Sequence, residues 1–131
     1  MTVESSVPTI TPETTIAVVG VSTDPQKYGH RIFADLVKAG YVVFGVNPKG
    51  GEVAGQPLYP SLADLPQVPD LVMTVVPPAV TAKVVAQCQE LGIKQIWMQP
   101  GSESDEAVEA AQAAGIATVS QACFMQHEHL W

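Results

Sequence analysis

Three groups of residues carry the chemistry available to this chain. The first is a loop: the β-branched run Ile16 to Val19 drives into Gly20, then Val21, Ser22, Thr23 and, further on, Lys27, in the stretch "AVVGVSTDPQKYGHRIF". A glycine there permits a sharp turn, and hydroxyls with neighbouring backbone N–H groups then face the start of the next helix, which makes an anion site. The further glycines of a dinucleotide-binding turn do not follow at their spacing, nor does the Gly-Lys-Ser/Thr of a phosphate loop, so hydrolysis of a nucleoside triphosphate is disfavoured. His30 and Arg31 stand at the start of that helix and are read as a solvated first turn. The second group is Asn47, Pro48, Lys49, Gly50 and Gly51. An NAD site places Asp or Glu at the end of the second strand to accept from ribose hydroxyls. An ammonium in its place favours a ribose that bears a phosphate, which leaves NADP and a 3′-phosphorylated adenosine ligand both open. The third group is Cys123, His127, Glu128 and His129. Only Cys123 and His127 would share a helix face, so zinc is not expected. With no cation or helix N-terminus evident to lower the Cys123 pKa, no catalytic residue is assigned.

The elements that must position these groups are marked by a phrase that recurs three times, a helical stretch, one glycine and an apolar run: "LVKAGYVVFGV", "CQELGIKQIWM" and "AQAAGIATVS". Gly40, Gly92 and Gly115 are placed where a left-handed residue ends a helix. The first helix carries Ile32, Phe33, Leu36 and Val37 on one face, and the second carries Val80, Val84, Cys88 and Leu91. The third, near 104–114, opens with Ser102 as cap and acids behind it, and packs with Ala107, Val108, Ala111 and Ala114. Strands are predicted near 15–20, 41–46, 71–76, 94–98 and 116–119. A connection rich in Pro and Gly separates the second from the third and holds "SLADL" as a short helix capped by Ser61. Alternation of this kind predicts an α/β domain, a doubly wound, Rossmann-like parallel sheet of five strands in the order 3-2-1-4-5. Ligands then bind beyond the carboxyl ends of the strands, where strand one meets strand four.

Composition agrees with that class. The 131 residues are 47% hydrophobic but only 6% aromatic, as in a buried Val-rich sheet under closely packed helices. Residues 1–13 are read as an N-terminal tail and 14–131 as the domain. A net charge of −7 argues against nucleic acid or an anionic membrane as partner. It also makes each of the six cations informative; Lys38, Lys83 and Lys94 are assigned to solvated surfaces, which leaves Lys27, Arg31 and Lys49 near the ligand loops. Two cysteines with no export signal suit free thiols in a reducing cytoplasm.

The set "VGVSTDPQKYG", "GYVVFGVNPKGGEVAGQPLYPSLADLP", "DLVMTVVPP", "IWMQPGS" and "GIATVSQACFMQHEHL" resembles the small coenzyme A-binding proteins. These are similar to the N-terminal domain of the succinyl-CoA synthetase α subunit. The resemblance implies that Gly20, Val21 and Ser22 wrap the CoA phosphates with Lys27 as helper, and that Lys49, in the turn begun by Asn47, meets the ribose phosphate. It also implies that Val76, Pro77, Met98 and Gln99 flank the adenine and the pantetheine arm. Where family members carry Asp or Asn and then Arg before the late cysteine, this chain has Gln121 and Ala122. The synthetase's phosphohistidine domain has no counterpart here. Binding of coenzyme A or an acyl-CoA without catalysis is therefore the expected function. The alternatives are an NADP-dependent oxidoreductase module and an interaction subunit with a decayed nucleotide site, and protein partners are left unassigned.

Overall fold

The structure, a computed structural model, describes residues 10–131; of the tail expected over 1–13, residues 1–9 lie outside the described residues. The chain runs β1 (Thr15–Val19), α1 (Tyr28–Lys38), β2 (Val42–Val46), β3 (Glu52–Val53), β4 (Gln56–Tyr59), a 3₁₀ turn (Leu62–Asp64), β5 (Leu71–Thr74), α2 (Pro78–Leu91), β6 (Gln95–Met98), α3 (Asp105–Ala113), β7 (Ala117–Val119) and α4 (Phe124–His127). The sheet is parallel except for the β3–β4 pair, which is antiparallel.

The α/β, Rossmann-like class is therefore present, but the strand count and order are corrected. Seven strands stand in the order β3-β4-β2-β1-β5-β6-β7 rather than five in the order 3-2-1-4-5. The strand expected third, here β5, pairs with β1 through Ile16↔Leu71 to Val19↔Thr74 and not beyond β2. That outer place belongs to β4, from a stretch whose Pro and Gly content reads as a loop. It pairs with β2 at only two positions, Gly45↔Leu58 and Val46↔Tyr59, too few to leave a period-2 pattern. The reversal of strand order accordingly lies between β1 and β5.

Alternating side chains of the sheet build two cores. Ile16, Val18, Leu71, Met73, Trp97 and Val119 meet Ile32, Phe33 and Leu36 of α1 and Phe124 and Met125 of α4. On the other face Ala17, Val72, Ile96 and Met98 meet Val84, Val85 and Cys88 of α2 and Ala107 and Ala111 of α3. The alanines of α3 let that helix lie close to the sheet, as predicted. Helix α2 is rotated from its predicted face: Thr81 and Val85 turn inward, while Val80 is exposed. Two caps also differ. Ser104, not Ser102, caps α3 by accepting from Ala107 N at 3.1 Å. Ser61 instead donates its hydroxyl to Asp64 Oδ2 at 2.9 Å. Gly40, Gly92 and Gly115 follow their helices at φ +91°, +75° and +77°, as the recurring phrase predicts. No described helix is long and apolar enough to cross a membrane.

Candidate functional site

A cleft of about 410 Å³ opens beyond the carboxyl ends of β1, β5 and β6, at the point where strand order reverses. Of the expected site residues, Gly20, Ser22, Lys27, Val76 and Pro77 line it. Lys27 is the only charged side chain in the lining, and no carboxylate is present there.

The first loop is held so that two of its amides, those of Ser22 and Thr23, are left free. Gly20 N and Val21 N donate to Val46 O at 3.1 and 3.3 Å, which ties the loop to β2. Asn47 Nδ2 donates to Val21 O at 2.8 Å, and His30 Nδ1 donates to Ser22 O at 2.9 Å. Since a carbonyl only accepts, the His30 proton sits on Nδ1. A trans peptide points N–H opposite to C=O. With both carbonyls captured by side chains, the Ser22 and Thr23 N–H groups face the other way and have no partner among the described residues. The Ser22 hydroxyl accepts from Asp24 N at 3.0 Å, so it shapes the loop as well as lining the cleft. His30, expected as a solvated residue, is thus a clasp.

Gly29 explains how a loop without the usual glycines still packs. A Cβ at Gly29 would strike the Gly20 carbonyl oxygen, so the start of α1 sits directly on the turn after β1. This is the close approach that a third glycine supplies in a dinucleotide-binding turn, delivered here from inside the helix. No spacing rule marks it, because the intervening loop is longer. Gly29→Ala is expected to push α1 off the loop and cost about 1–3 kcal/mol of stability, read from urea denaturation.

Asn47, Lys49, Val21, Met98 and Gln99 stand outside the lining. Lys49 is exposed, and its N–H donates to Asn47 Oδ1 at 2.8 Å, which fixes the turn. That turn leans on the first loop: a Cβ at Gly51 would lie 2.8 Å from Thr23 Cγ2. Val21 and Met98 are core residues, 1% and 0% exposed. Gln99 is fully buried and turned toward α4, its Oε1 accepting from Phe124 N at 2.6 Å. Tyr28, Pro100, Gly101 and Ser102 complete the cleft. Ser102 is buried, donating to Gln99 O at 2.7 Å, and so anchors the loop after β6.

The late cysteine departs from its expected environment. Cys123 immediately precedes α4, and its sulfur accepts from Gln99 Nε2 at 3.4 Å and lies 3.6 Å from the Tyr28 hydroxyl. Partial burial alone would push the thiol up. It is outweighed by hydrogen bonds from Gln99, the Gln126 backbone, Tyr28 and the Met125 backbone, which hold the thiol below its usual value. His127 turns elsewhere, with Nδ1 3.0 Å from Glu128 Oε2 and its ring against Trp97. Among the described residues no group of three His, Cys, Asp or Glu is placed to hold a metal ion.

Comparison with known proteins matches the chain to a family. A family model described as a CoA binding domain covers residues 14–128. The chain is 31% identical over 118 residues to an ADP-forming acetate–CoA ligase I of Archaeoglobus fulgidus, covering 82% of this chain and 17% of that one. It is likewise 31% identical over 119 residues to the α subunit of an ADP-forming acetate–CoA ligase II of Pyrococcus furiosus, 82% of this chain and 26% of that one. These two relatives are thus spanned only over a sixth to a quarter of their length. Among solved structures, a conserved hypothetical protein of Pyrococcus furiosus is 38% identical with a TM-score of 0.83, covering 87% of this chain and 98% of that one.

Proposed function

The chain belongs to the CoA-binding domain family, and from that premise we propose that residues 14–131 bind coenzyme A or an acyl-CoA in the cleft beyond β1, β5 and β6, without catalysing a ligase reaction. The observation that carries this reading is the character of the cleft in a chain of net charge −7. Its one charged lining residue is Lys27, and the amide N–H of Ser22, which also lines it, has no partner among the described residues. In the proposed complex the pyrophosphate sits on Gly20, Ser22 and Lys27, while Val21, whose N–H and C=O are both bonded within the protein, holds the loop from behind. Val76 and Pro77 flank the adenine and the start of the pantetheine arm. Lys49, on the turn fixed by Asn47, meets the 3′-phosphate from outside the cleft. Met98 and Gln99 support the wall from behind. Free thiols at Cys88 and Cys123 suit a reducing cytoplasm.

Thermal unfolding and calorimetric titration with CoA, dephospho-CoA, NADP and NAD test this reading. CoA at a hundred times its Kd is expected to stabilise the protein by about 2.7 kcal/mol, with NAD and NADP at equal concentration doing much less. Lys49→Glu is expected to weaken CoA by about 1 kcal/mol or more, since an exposed attraction becomes repulsion, and to leave dephospho-CoA nearly unchanged. Equal shifts with CoA and NAD would sink the reading. Equal weakening of CoA and dephospho-CoA would remove Lys49 from the 3′-phosphate.

A further inference from the structure

Behind the cleft wall, three side chains from distant parts of the chain meet around one sulfur. Gln99 follows β6, Tyr28 opens α1 and Cys123 precedes α4. The orientation of the Gln99 amide is dictated by the backbone: Oε1 accepts from Phe124 N at 2.6 Å, so Nε2 must donate. It donates to Tyr28 OH at 3.0 Å and to Cys123 Sγ at 3.4 Å. The Tyr28 hydroxyl, having accepted from Gln99, keeps its own hydrogen available for Cys123 Sγ, 3.6 Å away. Once the sulfur is a thiolate, which has no hydrogen to give, both side-chain partners can donate to it, an arrangement that suits an anion better than a thiol. Tyr28 itself is pushed up to about 12, mainly by burial, and keeps its proton. Cys88 makes the contrast: buried under α2, it is pushed up to about 12 by burial alone.

The position of Cys123 matters as much as its surroundings. Tyr28 lines the cleft and also touches the sulfur, so the thiol stands one side chain beyond the ligand cleft, only partly buried.

We propose that Cys123 is a thiol–disulfide exchange site for disulfides of coenzyme A, with the nucleotide seated in the cleft and the sulfur end of the arm delivered past Tyr28; this rests on the CoA reading above. The Cys123 sulfur, as thiolate, attacks the CoA sulfur of CoA–S–S–R. A Cys123–S–S–CoA bond forms, the CoA–S–S–R bond breaks, and the electron pair leaves on R–S⁻, which takes a proton from solvent. The incoming disulfide is the oxidant: Cys123 is oxidised and R is reduced to its thiol. A second thiolate that attacks the CoA sulfur of this bond frees the Cys123 thiolate and carries CoA away as a mixed disulfide. Tyr28 and Gln99 are positioning residues that direct hydrogen bonds at the attacking sulfur.

The test is intact-mass measurement under non-reducing conditions, with symmetrical CoA disulfide and oxidised glutathione as probes at pH 7. The expected result is one CoA per chain, removed by dithiothreitol, absent in Cys123→Ser and retained in Cys88→Ser. Capture is expected to be at least about tenfold faster from CoA disulfide than from oxidised glutathione, because the cleft holds the nucleotide near the sulfur. Alkylation by iodoacetamide across pH gives a readout that packing alone would not move. In the wild type its midpoint should lie below that of a free cysteine. Tyr28→Phe, which keeps the ring but loses a donor, should raise the midpoint and slow alkylation at pH 7. The other ionisable groups on the packed elements are His30, Arg31, Asp35 and Lys38 on α1 and the His127–Glu128 pair at the end of α4, and all are unchanged in this variant. A CoA thermal shift without an adduct at Cys123 overturns this proposal alone. Equal capture rates from the two disulfides with no CoA thermal shift overturn it together with the CoA reading. An alkylation midpoint at or above that of a free cysteine also overturns it.

Discussion

Gly20→Val is expected to abolish CoA binding and to destabilise the fold by several kcal/mol. Gly20 sits at φ +110°, a conformation that a β-branched residue adopts only under strain of about 1–3 kcal/mol. Space is also lacking. A Cβ there would meet the Val75 carbonyl oxygen and lie 2.8 Å from Val76 Cγ1, and the Gly20 carbonyl is pressed from the other side by Gly29. The turn is therefore held between the end of β5 and the start of α1, with the neighbouring Gly20 and Val21 amides bound to Val46 O. Overpacking of this kind adds about 1–3 kcal/mol. Relief requires the loop to move, and movement breaks the hydrogen bonds that leave the Ser22 and Thr23 amides free. Denaturant unfolding measures the first effect and titration with CoA the second. A folded Gly20→Val protein that kept full affinity would show that this loop does not cradle the phosphates.

Trp97→Ala should cost about 3–5 kcal/mol of stability, which is a large part of the total for a domain of this size. Trp97 is fully buried on the α1 side of the sheet, packs edge-on against Phe124 with ring centroids 5.1 Å apart, and donates Nε1 to Ala122 O at 2.8 Å. Truncation leaves a cavity and an unmade hydrogen bond at the place where the chain passes from β7 into α4. That passage carries Cys123, so alkylation of its thiol should approach the behaviour of a free cysteine in any Trp97→Ala protein that stays folded. Trp97→Phe fills most of the volume and loses the hydrogen bond, so about 1–3 kcal/mol is expected. The two variants together separate packing from the Ala122 contact, with thermal melts and the alkylation midpoint as readouts.

Helices α1, α2 and α3, strands β1, β2, β5, β6 and β7 and the glycines between them were legible from sequence because each signal is local. A helix face repeats every three to four residues, and the left-handed residue that ends a helix adjoins it. That the loops bearing Gly20, Ser22, Lys27, Val76 and Pro77 meet at one edge was legible from the alternation of elements, since a parallel α/β sheet sends the loops after its strands to one edge. Strand β4 was not, because its two-residue pairing with β2 leaves no pattern in "QPLY". Missing it also displaced β5 in the expected order.

The amino-acid sequence by itself determined the α/β class, the edge of the sheet at which a ligand can sit and the cationic, glycine-based character of that edge. Tertiary structure alone decided which loops adjoin. It also decided that Gly29 supplies the close approach to Gly20, that Asn47 and His30 hold the loop carbonyls, and that Gln99 faces α4. The state of the Cys123 thiol belongs with these, since its partner Tyr28 lies 95 residues away along the chain. Hydrogen-bond donors act on a sulfur over a few ångströms of space. Sequence spacing carries no record of that distance until the sheet has brought β1, β5 and β6 side by side.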